Sequence, residues 1–450
     1  MKKLFSIASI LLLAVTLVGC DEIALSAEEI ATLQEELQDN LDEVTALTEN
    51  LTALQETVDG YEDEIADLEF QIEQLQALIY DNVITVTFDD GYGTFISGTI
   101  GFNEEYEGTL LDLLDEHYDV QFTTFEYGSF INGIEGITTM QGNYISLGKN
   151  GEAAMVGVDA ITFDDGDVFS FELEWWDTGL QAVYEGIQLF LDNHALDYVN
   201  SSSADYAVVA GLSMLGVLDE YITQTEMETL IDASALATNT DYFKAIIRLN
   251  AVGSDTTSLY DTFAGIASTG SYGATAYGLL AMNCTENTAH FGPFESIAME
   301  SYDTESPYDL GLDSGGITVL ALSEYAGDTD VDAMITEFAT WIHEDQLESG
   351  GIMTRDMGWG SSENSASIAS VILGLVANGI NPAGVEYTQG TNTLVSRLLE
   401  FQTSTGSFDW DLTDEYDEDL MFSTPQAFLA LVVYQQYANT MSAVNPYSFK

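Results

Sequence analysis

The sequence predicts a multidomain protein: a long coiled-coil helix, a small α+β domain of the β-grasp kind, then an all-α region of helical repeats closing into an α/α toroid. Three observations carry this. Apolar residues from Ile30 to Ile79 step by three and four through seven heptads. Between residues 83 and 178 the pattern switches to period-two runs around one short amphipathic stretch. From residue 179 to 450, helical stretches rich in small residues recur, several opening on a polar side chain.

The heptad core is filled by Ile30, Leu37, Val44 and their successors on one row and by Leu33, Leu47 and Leu54 on the other, broken by Asn40 and Tyr61. A repeat of this length specifies a coiled coil, and about fifty residues make a rod of roughly 75 Å. Flanking positions carry Glu36, Glu43, Glu62, Glu64 and Glu69, and no lysine or arginine occurs between Lys3 and Lys149. A homo-oligomer through this coil therefore needs salt or divalent cations to screen like charge. The expected role is a spacer; the heptads leave the oligomeric state open.

Ahead of it, Lys2 and Lys3 precede a mainly apolar run from Leu4 to Gly19 that ends L-V-G-C at Cys20. This is the pattern of a signal peptide, and the run is short for a membrane span of about 20 residues. L-V-G-C resembles the lipobox of bacterial lipoproteins, whose cysteine is acylated. The expectation is a leader over 1–19 and a lipid anchor at Cys20 opening an anchor-and-stalk segment over 20–82. The protein would then be extracytoplasmic, a membrane-anchored lipoprotein on a bacterial cell surface.

Of the 450 residues, 8 are Lys or Arg and 76 are Asp or Glu, a net charge of −68. Nucleic-acid binding and polybasic membrane association both need clustered cations, and so are excluded. Two cysteines cannot build a disulfide framework or a Cys-rich metal site. With 46% hydrophobic residues, 11% aromatic and only 5 prolines, the chain is nevertheless a folding one.

In the segment 83–178, Val83–Phe88 alternates, Asp89-Asp90-Gly91 turns, and a second strand follows to make a hairpin. Thr109 caps a short helix through Tyr118, and further strands follow, the last two joined by the turn Asp164-Asp165-Gly166-Asp167. G-T-L-L-D-L-L (Gly108–Leu114), Y-G-S-F-I (Tyr127–Ile131), G-N-Y (Gly142–Tyr144), K-N-G (Lys149–Gly151) and D-G-D-V (Asp165–Val168) resemble the C-terminal β domain of transcobalamin and intrinsic factor. That family usually has Tyr-Trp where this chain has Tyr144-Ile145. The resemblance implies a ligand-facing aromatic, supplied here by Tyr144, Trp175 or Trp176.

In the helical region Asp205-Tyr206 and, 36 residues later, Asp241-Tyr242 open similar helices. Gln346 with Gly350, and Gln402 with Gly406 and Phe408, form a Q-x-x-x-G element that resembles that of the terpene-cyclase and prenyltransferase toroids. Leu312–Tyr325 and Phe422–Val432 resemble two transcobalamin helix starts, which puts Asp313 on an aspartate lining the cobalamin site of that family. Asn364, Thr424 and Gln426 stand at equivalent helix starts and are expected around the same mouth. The resemblance thus implies a corrinoid such as cobalamin, held between the two domains by Asp313, Asn364, Thr424 and Gln426 and covered by the aromatics above. The order of the two domains is reversed relative to the vertebrate proteins.

Catalysis is poorly provided for. The helical region contains no D-x-D-D or D-D-x-x-D acid motif, and Cys284 has no H-x-x-H partner. The four histidines stand singly; His290, between two helices, is the candidate axial ligand for a corrinoid cobalt. Acidic clusters at Asp164–Asp167 and Asp409–Asp419 could offer calcium hard oxygen ligands, but neither has the order of an EF-hand loop. Two functions follow: a small-molecule-binding surface lipoprotein, and a structural or adhesive one whose toroid is a protein- or glycan-binding platform. In either case acidity with so few cations makes the fold salt-dependent. The melting temperature is expected to rise steeply between low and molar salt, and a flat response in a thermal scan would refute this.

Overall fold

The computed structural model describes residues 80–449, apart from 200–204, 232–234, 267–271, 285–306, 357–359 and 414–417, together with five positions between 57 and 65. The expected leader, the lipid anchor Cys20, nearly all of the stalk and His290 lie outside the described residues. The described chain has mixed α and β content in two regions, each with its own core.

The first region is the expected α+β unit. Strands β1 (Asn82–Asp89) and β2 (Phe95–Phe102) pair as an antiparallel hairpin. Its turn is locked by Asp89 and Asp90, whose carboxylates accept from the amides of Gly91, Tyr92 and Thr94. Helix α1 (Leu110–Asp115) begins at the expected cap Thr109, and Asp112 returns the bond, so each side chain satisfies the other's backbone amide. It buries Leu110, Leu111, Leu113 and Leu114. Strands β3 (Val120–Phe125), β4 (Gly128–Ile134) and β5 (Ile137–Thr138) form a separate three-stranded sheet. Strands β6 (Asn143–Lys149), β7 (Glu152–Ala153) and β8 (Val168–Trp175) join the hairpin in a five-stranded sheet ordered β2-β1-β8-β6-β7, with β1 and β8 parallel. Alternate residues Ile84, Val86 and Phe88 face the core, against Phe169 and Phe171.

Asp177 then caps α2 (Thr178–Asn193), accepting from the amides of Gly179 and Leu180. After α3 (Ala195–Val199) come α4 (Tyr206–Leu215), α5 (Leu218–Tyr221), α6 (Gln224–Leu230), α7 (Asn239–Ala251), α8 (Thr257–Ile266) and α9 (Tyr272–Asn283). The last set is α10 (Pro307–Leu322), α11 (Thr329–Asp345), α12 (Ser365–Ala377), the two-residue strands β9 (Thr388–Gln389) and β10 (Asn392–Thr393), α13 (Leu394–Glu400) and α14 (Ser423–Thr440). Six of these helices pack in succession, α4 on α7, then α9, α10, α12 and α14, and α14 packs back on α4. Outside them, α8 lies on α7, α11 on α10, α13 on α12, and α2 on α14. Helices α12 and α14 are buried along nearly their whole length, which accounts for their lack of a polar stripe.

Small residues set the spacing within this succession. A Cβ on Gly316 would collide with the carbonyl of Ser370, and one on Gly374 would lie 2.7 Å from Val319 Cγ2. The Q-x-x-x-G element acquires a physical reason as well. Gln346 donates to the carbonyls of Gly350 (2.8 Å) and Tyr387 (2.9 Å), and Gln402 to those of Gly406 (3.2 Å) and Gly186 (2.8 Å). Each glutamine closes its own loop and ties it to a neighbour. Gly350 and Gly406 have φ of 88° and 92° and touch backbone, so no other residue fits there. Replacing Gly316 with Ala should overpack α10 against α12 and cost about 1–3 kcal/mol. An unchanged denaturation midpoint would show that these helices separate freely.

Candidate functional site

Asp313, Asn364, Thr424 and Gln426 all lie at or near the starts of ring helices, but the structure gives them different work. Asn364 is buried and caps α12, its Oδ1 accepting from the Ser367 amide at 2.8 Å. Thr424 is buried too, and its hydroxyl accepts from the Phe408 amide at 2.9 Å. Ser365 adds a third tie, its amide donating to the Trp410 carbonyl (3.1 Å) and its hydroxyl to that of Asp409 (2.6 Å). Thr424 and Ser365 fasten residues 408–410 across the helix starts. Asn364 and Thr424 are thereby corrected from ligand contacts to scaffold, because a polar side chain at a helix start first satisfies the open amides beside it.

What the fastened segment positions is Trp410. Its ring closes one side of a cavity of about 340 Å³, lined also by Ala276, Tyr277, Asp313, Ser314, Ile317, Ala366, Ser370, Phe422 and Gln426. A second cavity of about 170 Å³ shares Tyr277, Phe422 and Gln426 and extends to Asp205, Tyr206 and Lys244. Asp313 and Gln426 are thus brought together as the sequence expects. Tyr277, Ser314, Ser370, Trp410 and Phe422 are additions. Phe422 and Ser314 lie inside the helix starts that resemble transcobalamin, and Trp410 inside the acidic cluster Asp409–Asp419; Tyr277 carries no such signal. Exposed Leu412, Leu420, Met421 and Phe422 give this end of the ring an apolar rim.

Two carboxyl groups govern the electrostatics. Asp313 follows Gly311, whose φ of 78° breaks α10 and starts its second segment. Its carboxyl is open to water in the cavity yet walled by protein otherwise, and burial raises its pKa above the ordinary carboxylate value, opposed by the nearby Ser367 hydroxyl. Asp205 caps α4 by accepting from the Ala207 amide at 2.8 Å. Burial raises it as well, against that amide and the positive charges of Lys244 and Arg248. Lys244 in turn lies 5.7 Å over the Tyr206 ring. Six helix starts converge on these acids, and their positive dipole ends offset the negative charge. The combined field suits a neutral ligand with hydrogen-bonding groups and an apolar face.

The β-domain aromatics do not reach this cavity. The α+β domain packs at the other end of α14, where the Gln141 amide donates to Asn439 Oδ1 (2.9 Å) and Gln435 approaches Met140. Gln426 and Gln435 are separated along the helix axis by about 13 Å. Trp175 packs against Tyr184 of α2 (5.6 Å), Trp176 is exposed, and Tyr144 donates to Glu174 Oε2 at 2.6 Å. The expectation that they cover a ligand held by Asp313 is not met. The local reason is Gly142, whose carbonyl accepts from the Trp176 and Asp177 amides and fixes the chain on the α2 side.

The acidic clusters serve their own loops. Asp165 accepts from the Val83 amide and Asp167 from that of Asp164 while pairing with Lys149 at 2.7 Å. Asp419 accepts from the amides of Met421, Phe422 and Ser423. Among the described residues no group of three or more His, Cys, Asp or Glu could hold a metal.

Residues 107–174, most of the α+β domain, match the family described as Domain of unknown function (DUF4430). A solved structure from Ruminococcus gnavus, described provisionally as a metal-binding protein, is 25% identical; the match covers 22% of this chain and 100% of that one, with a TM-score of 0.20. No curated protein matches.

A carboxyl whose folded-state pKa is raised stabilises the fold below its unfolded value, near 3.8, and loses that contribution as pH rises through the folded value. Ionising Asp313 therefore carries a net cost to the fold. Asp313→Asn is expected to raise the melting temperature at pH 7, the gain fading as pH falls toward 4. A gain independent of pH would refute this account.

Proposed function

We propose that the protein is a non-catalytic surface lipoprotein that holds a small molecule at the open end of an α/α toroid. Cys20 would be its lipid anchor and residues 20–82 a coiled-coil stalk. The observation that carries the reading is the cavity near Asp313. Its volume of about 340 Å³ falls within the range of small-molecule sites, and it combines apolar walls with a few convergent polar groups. Among the described residues its polar lining is Asp313, Ser314, Ser370 and Gln426, groups that can hydrogen-bond a ligand.

For the ligand we propose a corrinoid, on the resemblance to transcobalamin. The cavity is too small to enclose a whole corrin, so the macrocycle would lie across the apolar rim of Leu412, Leu420, Met421 and Phe422. One edge amide would reach Gln426 and Asp313. This differs from a ligand sandwiched between the domains.

The test is titration of the purified protein with cobinamide and cobalamin in molar salt, followed by visible absorption and co-elution on gel filtration. Binding is expected, weakened about tenfold in Gln426→Ala, equivalent to about 1.4 kcal/mol. No spectral change and no co-elution would overturn the corrinoid. The adhesive alternative is favoured by a different observation, the exposed aromatic face of the α+β domain.

A further inference from the structure

Residues directly opposed in an antiparallel pair share a face. In the β3–β4 pair, Thr123 opposes Phe130 and Thr124 opposes Ser129. Phe125 lies two residues along its strand and so joins Thr123 and Phe130 on one face, and Asn132, the extra residue of a β-bulge, reaches the same face through its hydrogen bond to Thr123. The other face carries Ser129 and Ile131, both buried. Tyr127 sits in the turn between the strands.

The outer face is an aromatic shelf. The rings of Phe125 and Tyr127 are 5.5 Å apart and nearly parallel, at 8°. Phe130 stands across both, 5.9 and 5.7 Å away and inclined at 67° and 66°. All three are exposed, Tyr127 by 72%. Beside them Asn132 donates to Thr123 Oγ1 at 2.6 Å, and no donor among the described residues meets its amide oxygen. Three clustered exposed rings are costly to leave in water and mark an interaction site.

The chemistry of the occupant follows from charge. None of these five residues is charged, in a chain of net charge −68. The surrounding field repels phosphates, which excludes nucleic-acid bases and anionic lipid headgroups. A bilayer interior would leave the Asn132–Thr123 pair buried against hydrocarbon with an unmet acceptor. A neutral sugar ring meets both requirements, with a C–H face for the stacked rings and hydroxyl groups for the amide. We infer that Phe125, Tyr127, Phe130, Thr123 and Asn132 form a binding site for a neutral polysaccharide, separate from the helical cavity.

The full-length protein would be run on native gels containing starch, laminarin, xyloglucan or galactomannan. At least one should retard it. Tyr127→Ala and Phe125→Ala should each weaken the apparent affinity about tenfold, with Tyr127→Phe retaining it. Gln426→Ala should leave retardation unchanged, so failure at the helical cavity is read separately. Circular dichroism of each variant controls for folding. No retardation by any of these glycans would overturn the inference, as would equal retardation of wild type and Tyr127→Ala. A change in sedimenting mass on Tyr127→Ala would also overturn it, assigning the shelf to a second copy of the chain.

Discussion

The closeness of α10 to α12 is the constraint on which the helical region turns. Gly316 and Gly374 lack the side-chain atom that would keep the two backbones apart, so the helices meet almost backbone to backbone. Close packing on this scale holds a fixed geometry. With this pair tight, the succession α4, α7, α9, α10, α12 and α14 turns far enough for the last helix to meet the first. The helix starts are then gathered at one end, and the cavity is what remains among them.

Gathered helix starts bring open amides and partial positive charge together, and the sequence supplies groups to meet both. Asn364 and Asp205 cap their own helices, while Ser365 and Thr424 hold the 408–410 segment in place. Asp313 is left facing water in the cavity. A mouth built this way has few charges to spare, although the chain as a whole is extremely acidic. The acidity belongs to the solvent-facing surfaces.

Much of this was legible in the sequence, unevenly. The hairpin, the Thr109 cap and the recurring helices follow from local pattern and turn chemistry, which need only neighbours in sequence. Asp313 is placed by the resemblance to transcobalamin, and Gln426 by the expectation that helix starts in a repeat array share a common end. The same reasoning placed Asn364 and Thr424 at the right helix starts with the wrong work. A start position does not reveal whether a side chain turns toward the cavity or back to its own amides. Trp410 depends on ties to Ser365 and Thr424, and Tyr277 on the closing of the ring, both long-range events. Nor could the sequence show which end of the helices receives the α+β domain. Gly142 decides that, and its role is visible only once Asp177 and Leu180 crowd it.

The closure of the ring bears on how the chain reaches its native state. The Tyr198 hydroxyl meets the Leu420 carbonyl across 222 residues, and Phe190 stacks on Phe428 at 4.0 Å. The opening helices of the array therefore have no partner for one flank until the final helix has been synthesised. During that interval one flank of α4, a helix apolar nearly all round, is uncovered. Loop closure over such a separation is slow, and the half-built array is the stage most exposed to aggregation. A polypeptide that completes its core last depends on its C-terminal helix arriving intact, so truncation there should be felt across the entire ring.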